Sequence, residues 1–307
     1  MSFIRRIPLP MSALALGLAA LGNLLLPYTP AARLACGVFS ALVVLLVVAR
    51  MVFDPRGVRA ELKSPGALAV LPTLFMALML LATYVKPYAP VPARGLWFLA
   101  LVLQLGVVAL FMTRHVVPFR LSQVAPAWFL VFVGFVVASV TSPAFDAVPI
   151  GRILLYAGAF GYAVVLPVVA YRMFRGDALP APAAPTVAIF AAPPSLVLVG
   201  YLAVTPAKQV AIVYALLTVV AASLLYVLAC LPKIVKGGFH PTYGALTFPV
   251  VIAAIALKQS NVFLAGTLAG PLVPKVAVIA MDAFATGMVL FVLAHYTAHL
   301  LTPVRED

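Results

Sequence analysis

The sequence predicts an all-α membrane protein. Ten transmembrane helices form five hairpins with quasi-five-fold repetition, and an inner ring of kinked odd-numbered helices surrounds a central pore. Three observations predict this. Of 307 residues, 65% are hydrophobic and only 9% charged, with mean hydropathy +1.18; a soluble domain of this size cannot hide so much apolar surface. Apolar runs of about 20 residues, the length that crosses a bilayer, follow one another along the whole chain. Prolines recur in the odd-numbered runs and are nearly absent from the even ones.

The ten runs are Pro8–Leu26, Ala31–Val52, Pro65–Tyr84, Ala93–Thr113, Pro126–Thr141, Ile150–Tyr171, Pro185–Val204, Ala207–Leu231, Pro241–Leu257 and Lys275–Leu301. The first starts basic and turns apolar, as a signal peptide does. No A-x-A-like site leads into a soluble domain, so it reads as a retained helix. No long polar stretch interrupts the series, and residues 1–307 read as one transmembrane domain. Cys36 and Cys230 are expected at opposite membrane faces, too far apart for a disulfide.

Orientation follows from the Lys and Arg distribution. With the N-terminus inside, thirteen of the twenty basic residues fall on the cytoplasmic side and seven on the other. Both termini are therefore expected in the cytoplasm, with the chain in an inner (cytoplasmic) membrane. The net charge of +13 belongs to these short loops and needs no nucleic acid.

The odd runs open with a proline and carry a second breaker about two turns on. The third has Pro65 and Pro72, the fifth Pro126 and Gly134, the seventh Pro185 then Pro193 and Pro194, and the ninth Pro241 and Pro249. The first has Pro8 and Pro10, then Gly17. Among even runs only the sixth has a mid-span proline, Pro167. An opening proline suits a first helical turn. A mid-helix proline instead frees a carbonyl and kinks the helix. In lipid that carbonyl needs a partner or a water-filled cavity. Pro72, Gly134, Pro193 and Pro249 are thus expected to kink four of the five odd helices that surround an axis. Thr73, Phe75, Phe132, Ser195 and Thr247 are candidate pore-lining residues, mostly small hydroxyls and phenyl rings without charge. A neutral lumen suits rapid passage better than tight binding. Helix N-termini and basic loops at the inner mouth favour anions over cations.

Other chemistry is largely excluded. Of the acidic residues only Asp282 falls well inside a run, so no aspartate pair for diphosphate chemistry and no proton-relay ladder is present. Asp282 is expected to pair with a polar neighbour. His295 and His299 share a helix face near the cytoplasmic end, but no third ligand accompanies them, so no metal site is assigned. No phosphate loop appears, and neither a cofactor nor an enzymatic activity is expected.

Several segments, in order, carry a resemblance. They are PLP at Pro8–Pro10 leading to GLAALG at Gly17–Gly22, VRAELKSP at Val58–Pro65, AAP at Ala191–Pro193 with Tyr201, and LPKIVKGG at Leu231–Gly238 preceding LTFP at Leu246–Pro249. Together they resemble the tellurite-resistance/dicarboxylate transporter family, which includes bacterial TehA-type proteins and plant slow anion channels. The resemblance implies five hairpins with quasi-five-fold symmetry, a homotrimer with one pore per subunit, and a ninth-helix phenylalanine that occludes the pore, here Phe248. At Ser12, Ala15 and Val131 the chain departs from residues that some relatives carry. The function implied is a gated channel for small inorganic anions such as chloride or nitrate. The alternative is a secondary carrier of dicarboxylate, sulfite or tellurite, with or without proton coupling.

Overall fold

The computed structural model describes residues 2–175, 179–267 and 270–302. Asp177, Arg305, Glu306 and Asp307, which entered the charge count, lie outside them. The described residues form helices joined by short turns, with no strand among them. In chain order the apolar helices are α1 (Met11–Leu25), α2 (Pro30–Phe53), α3 (Pro65–Val85), α4 (Pro90–Val116), α5 (Trp128–Phe132 and Val136–Phe145), α6 (Val148–Arg175), α7 (Ala181–Val204), α8 (Val210–Lys236), α9 (Pro241–Thr267) and α10 (Lys275–Leu301). Eight of these are long and apolar enough to cross a membrane; α1 and the Val136–Phe145 part of α5 are apolar but shorter. Large apolar side chains such as Leu45, Val102, Phe160, Leu225 and Leu290 stand exposed on the even helices. Lipid is the solvent that suits such a surface.

Local sequence explains the helix starts. Thr29 accepts a hydrogen bond from Ala31 N at 3.3 Å before Pro30, and Ser64 accepts one from Ala67 N at 3.2 Å before Pro65. Each pairs an N-cap side chain with a proline in the first turn, where the missing N–H costs nothing.

Packing separates two classes of helix. α1 packs on α3, α3 on α5, α5 on α7, α7 on α9, and α9 returns to α1, so the odd helices close a ring of contacts. Each even helix lies outside, against two odd ones: α2 on α1 and α3, α4 on α3 and α5, α6 on α5 and α7, α8 on α7 and α9, α10 on α9 and α1. Burial agrees. The most apolar stretch of α7 is 89% buried within the chain and that of α3 78%, against 22% for α6 and α8.

The breaks occur where the sequence signals them, but their form differs from a kinked continuous helix. α3 stops at Val70 and restarts at Pro72. α5 is interrupted between Phe132 and Val136, around Gly134. The first half of α7 is a 3₁₀ helix, Ala181–Ala191, and its α-helical half begins at Ala192 with Pro193 and Pro194 in the first turn. α9 starts as a 3₁₀ helix, Pro241–Leu246, and resumes as α-helix at Phe248. Pro72, Pro193, Pro194 and Pro249 therefore fall in the first turn of the segment that follows each break, where a missing N–H costs least, whereas Pro185 lies inside the 3₁₀ half of α7. Gly17 corrects the pattern in another way: α1 runs unbroken through it. A Cβ there would lie 2.3 Å from Thr247 Oγ1, so glycine is needed for α1 to approach the break in α9.

Candidate functional site

Two cavities lie inside the ring of odd helices. The first, about 20 Å³, is lined by Pro10, Ala13 and Leu16 at α1, Val70 and Thr73 of α3, Leu130 of α5, Thr186 and Ile189 of α7, and Thr242, Ala245, Phe248 and Pro249 of α9. It has room for about one water molecule. The second, about 100 Å³, is lined by Ala20 and Asn23 of α1, Leu80 of α3, Val137 and Val140 of α5, Leu196 of α7, and Phe248, Ile252, Ile255 and Gln259 of α9. Every odd helix contributes to both cavities, no even helix contributes to either, and Phe248 borders both. Neither lining contains a charged residue.

The segment carrying Phe248 is held closely. Thr247 is fully buried and its hydroxyl reaches Ala13 O at 3.0 Å and Gly244 O at 2.7 Å. That ties the break in α9 to the start of α1 across the Gly17 contact. Phe248 itself is 2% exposed. Pro241–Leu246 is a 3₁₀ helix, which rises about 2.0 Å per residue rather than 1.5. Phe248 thus stands nearer 14 Å than 10 Å from the start of α9.

The hydroxyls around the smaller cavity are already engaged. Thr73 Oγ1 lies 2.8 Å from Val70 O and 2.7 Å from Ser12 Oγ, and Ser12 in turn reaches Leu9 O at 2.9 Å. Thr186 donates to Ala183 O at 2.6 Å, and Thr242 to Pro182 O. Each hydroxyl has one proton and a backbone carbonyl within reach, so the wall presents little free hydrogen-bond donation.

The remaining sequence candidates are placed as follows. Ser195 is buried in α7 with its hydroxyl on Ala191 O at 2.6 Å. Phe75, Ser195 and Thr247 line neither cavity. Phe132 instead lines a groove of about 480 Å³ between α4, α5 and α6, with Trp128, Phe135 and Phe160. Pro249 lines the smaller cavity beside Phe248, whereas Pro72, Gly134 and Pro193 mark breaks without lining either. Residues missed by sequence reasoning include Asn23 and Gln259, which line the larger cavity. A further one is Gln104, fully buried on α4, whose amide atoms have no hydrogen-bond partner. A Cβ at Gly134 would lie 3.1 Å from its Nε2 and 2.2 Å from Leu130 O.

Asn23, Ile255 and Gln259 also border an open concavity of about 410 Å³, which adds Lys208 and Lys258. Lys258 is anchored: its Nζ lies 2.9 Å from Asp282 Oδ2 and donates to Leu24 O at 3.2 Å. Tyr28 donates to the same carboxylate oxygen at 2.8 Å, and Lys258 Nζ sits 4.3 Å from the centre of its ring. That hydrogen bond to Asp282 pushes the Tyr28 phenol above its ordinary pKa. Asp282 thus has the polar partner expected of it, supplied by α9. At the opposite end of the bundle, Phe239 lies 6.0 Å from His295 and 5.3 Å from His299, ring centre to ring centre. Among the described residues no group of three metal-ligating side chains occurs.

A comparison with curated proteins returns no match. The sequence profile of the SLAC1 family, described as voltage-dependent anion channel, matches residues 6–298. That match covers nearly the whole chain, including every helix that lines the two cavities, and it agrees with the resemblance carried by the sequence motifs. The chain is a multi-pass membrane protein and belongs to the voltage-dependent anion channel family.

Proposed function

We propose that this protein is a gated channel for small inorganic anions, chloride or nitrate among them, and that the path runs along the axis of five inner helices with Phe248 as its closure. The observation that carries the reading is the pair of axial cavities, each lined by all five odd helices, that meet at one phenylalanine. On this reading the helices form ten spans in five hairpins with quasi-five-fold symmetry. The shorter α1 and α5 count as spans because they complete the ring.

Charge preference has a physical source without any charged lumen residue. α1, the second halves of α3 and α7, and the α-helical part of α9 all begin near the smaller cavity, at Met11, Pro72, Ala192 and Phe248. Each N-terminus carries roughly half a positive charge. Segmentation of α3, α7 and α9 brings three of these ends from the membrane surface toward the middle of the path, where low dielectric strengthens them. At the wider end Lys208 adds positive potential, while the charge of Lys258 is largely balanced by Asp282. The engaged hydroxyls give a passing anion no tight site, which suits fast conduction.

Planar-bilayer recording of purified protein tests this. A chloride gradient should set the reversal potential near the anion equilibrium value, with resolvable unitary currents. Saturating flux without unitary currents, or a proton-dependent reversal potential, would instead establish the carrier mechanism.

A further inference from the structure

The fold has a second basic feature that the axial path does not use. Where the connection from α2 to α3 meets the end of α4, an open concavity of about 680 Å³ is rimmed by Arg59, Lys63 and Arg114, with His115, Leu71 and Leu110 in its walls. It lies off the axis, at the end of the bundle that carries the N-terminus.

Three properties make this a built pocket. Its charge is uncompensated. Glu61, the acid closest in sequence to Arg59 and Lys63, is held by Arg50 at 2.5 Å, and no acidic residue lines the pocket. Its deep wall holds an unsatisfied polar group: His115 is 7% exposed and its Nε2 has no hydrogen-bond partner. The backbone that presents Arg114 and His115 is a π-helical turn, Met112–Val116, a geometry that recurs at functional sites. Below the charged rim the walls are leucine, so the pocket is cationic at its mouth and apolar inside.

We propose that this pocket binds the phosphate head group of an anionic phospholipid, with Arg59, Lys63 and Arg114 around the phosphate and the glycerol and acyl chain along Leu71 and Leu110. Free phosphate shares the head-group chemistry but leaves the apolar wall unused. A volume of about 680 Å³ also exceeds what a phosphate alone would fill. Basic pockets between membrane helices are a recurrent site for such head groups. The proposal is independent of the anion-channel reading.

Native mass spectrometry of the full chain in mild detergent tests it, with phosphatidic acid and phosphatidylcholine offered together. The wild type should retain phosphatidic acid preferentially. The combined variant Arg59→Gln, Lys63→Gln, Arg114→Gln should weaken that retention on the order of a hundredfold, since each cation near a lipid surface strengthens binding about fivefold. Single Arg59→Gln and Arg114→Gln changes should each cost about fivefold, and they keep the test open if the triple variant misfolds. Lys233→Gln with Lys236→Gln, basic residues outside the pocket, should leave retention unchanged. Equal loss in that control, or full retention in the triple variant, would overturn the proposal. Protection against thermal unfolding by inorganic phosphate as large as that by phosphatidic acid, at matched concentration, would also overturn it, because the source would then be the soluble anion.

Discussion

Truncating Phe248 to alanine tests the closure directly. The ring is 2% exposed and stands between cavities of about 20 and 100 Å³. To open the path, the ring must leave its packed position and forfeit the burial of one phenylalanine side chain, about 1.5–3 kcal/mol. Phe248→Ala removes that term. At 1.36 kcal/mol per tenfold, anion conductance should rise about 10- to 150-fold. Phe248→Leu keeps more of the bulk and should give a smaller rise. Folding should change less than in an ordinary core. A dry void on the order of 100 Å³ would cost about 2.4 kcal/mol through its cavity alone. Joined to the neighbouring cavities it can fill with water instead. The assay is current through purified protein in planar bilayers, with expression, oligomeric state and melting measured alongside. A stable Phe248→Ala protein with wild-type conductance would refute the reasoning and return Phe248 to the status of a packing side chain.

Other expected outcomes are equally open to measurement. Gly17→Ala places a Cβ 2.3 Å from Thr247 Oγ1; thermal melting should show a loss of about 1–3 kcal/mol from overpacking, with altered currents because the displaced residue adjoins Phe248. Lys258→Met leaves Asp282, 4% exposed at its side chain, without its cation. It should destabilise the fold by up to about 3 kcal/mol and lower the anion-to-cation permeability ratio, whereas Lys258→Met with Asp282→Leu removes the ion pair as a whole and should recover much of both. A reporter active only outside the cytoplasm, fused at Asp307, should stay silent; strong activity would reverse the proposed orientation. Native mass spectrometry should find three copies per particle, and a fully active monomer would remove the trimer expected from family resemblance.

Much of this architecture is legible in one sequence because lipid imposes simple rules. Apolar length marks helices, and Pro and Gly mark interruptions, so Pro72, Gly134, Pro193 and Pro249 all sit at or beside real breaks. What sequence does not reveal is rotation about each helix axis. Thr73 and Phe132 look alike as uncharged residues on odd helices, yet one borders the axial cavity and the other the groove toward α4 and α6. Only packing decides which azimuth faces inward. The shift to 3₁₀ geometry in α7 and α9 is also hidden, because an opening proline is compatible with either helix. Gly17 reads as a breaker from sequence alone. Its role as a point of close approach depends on Thr247, 230 positions later. The identity of the partner of Asp282 escapes for a related reason, since Lys258 falls just past the ninth run and reads as a loop charge, whereas α9 extends to Thr267.

Because each outer helix is wedged across two inner neighbours, the assembly resembles a cask whose staves are hooped together. An iris-like dilation would have to slide several well-packed interfaces at once. The cheaper movement is local: a side-chain swing at Phe248, or a small unwinding at Thr247 where one helix type gives way to another. On the proposed channel reading, conduction would therefore switch while the cask keeps its shape, and a change of state should leave little trace in the particle's overall dimensions.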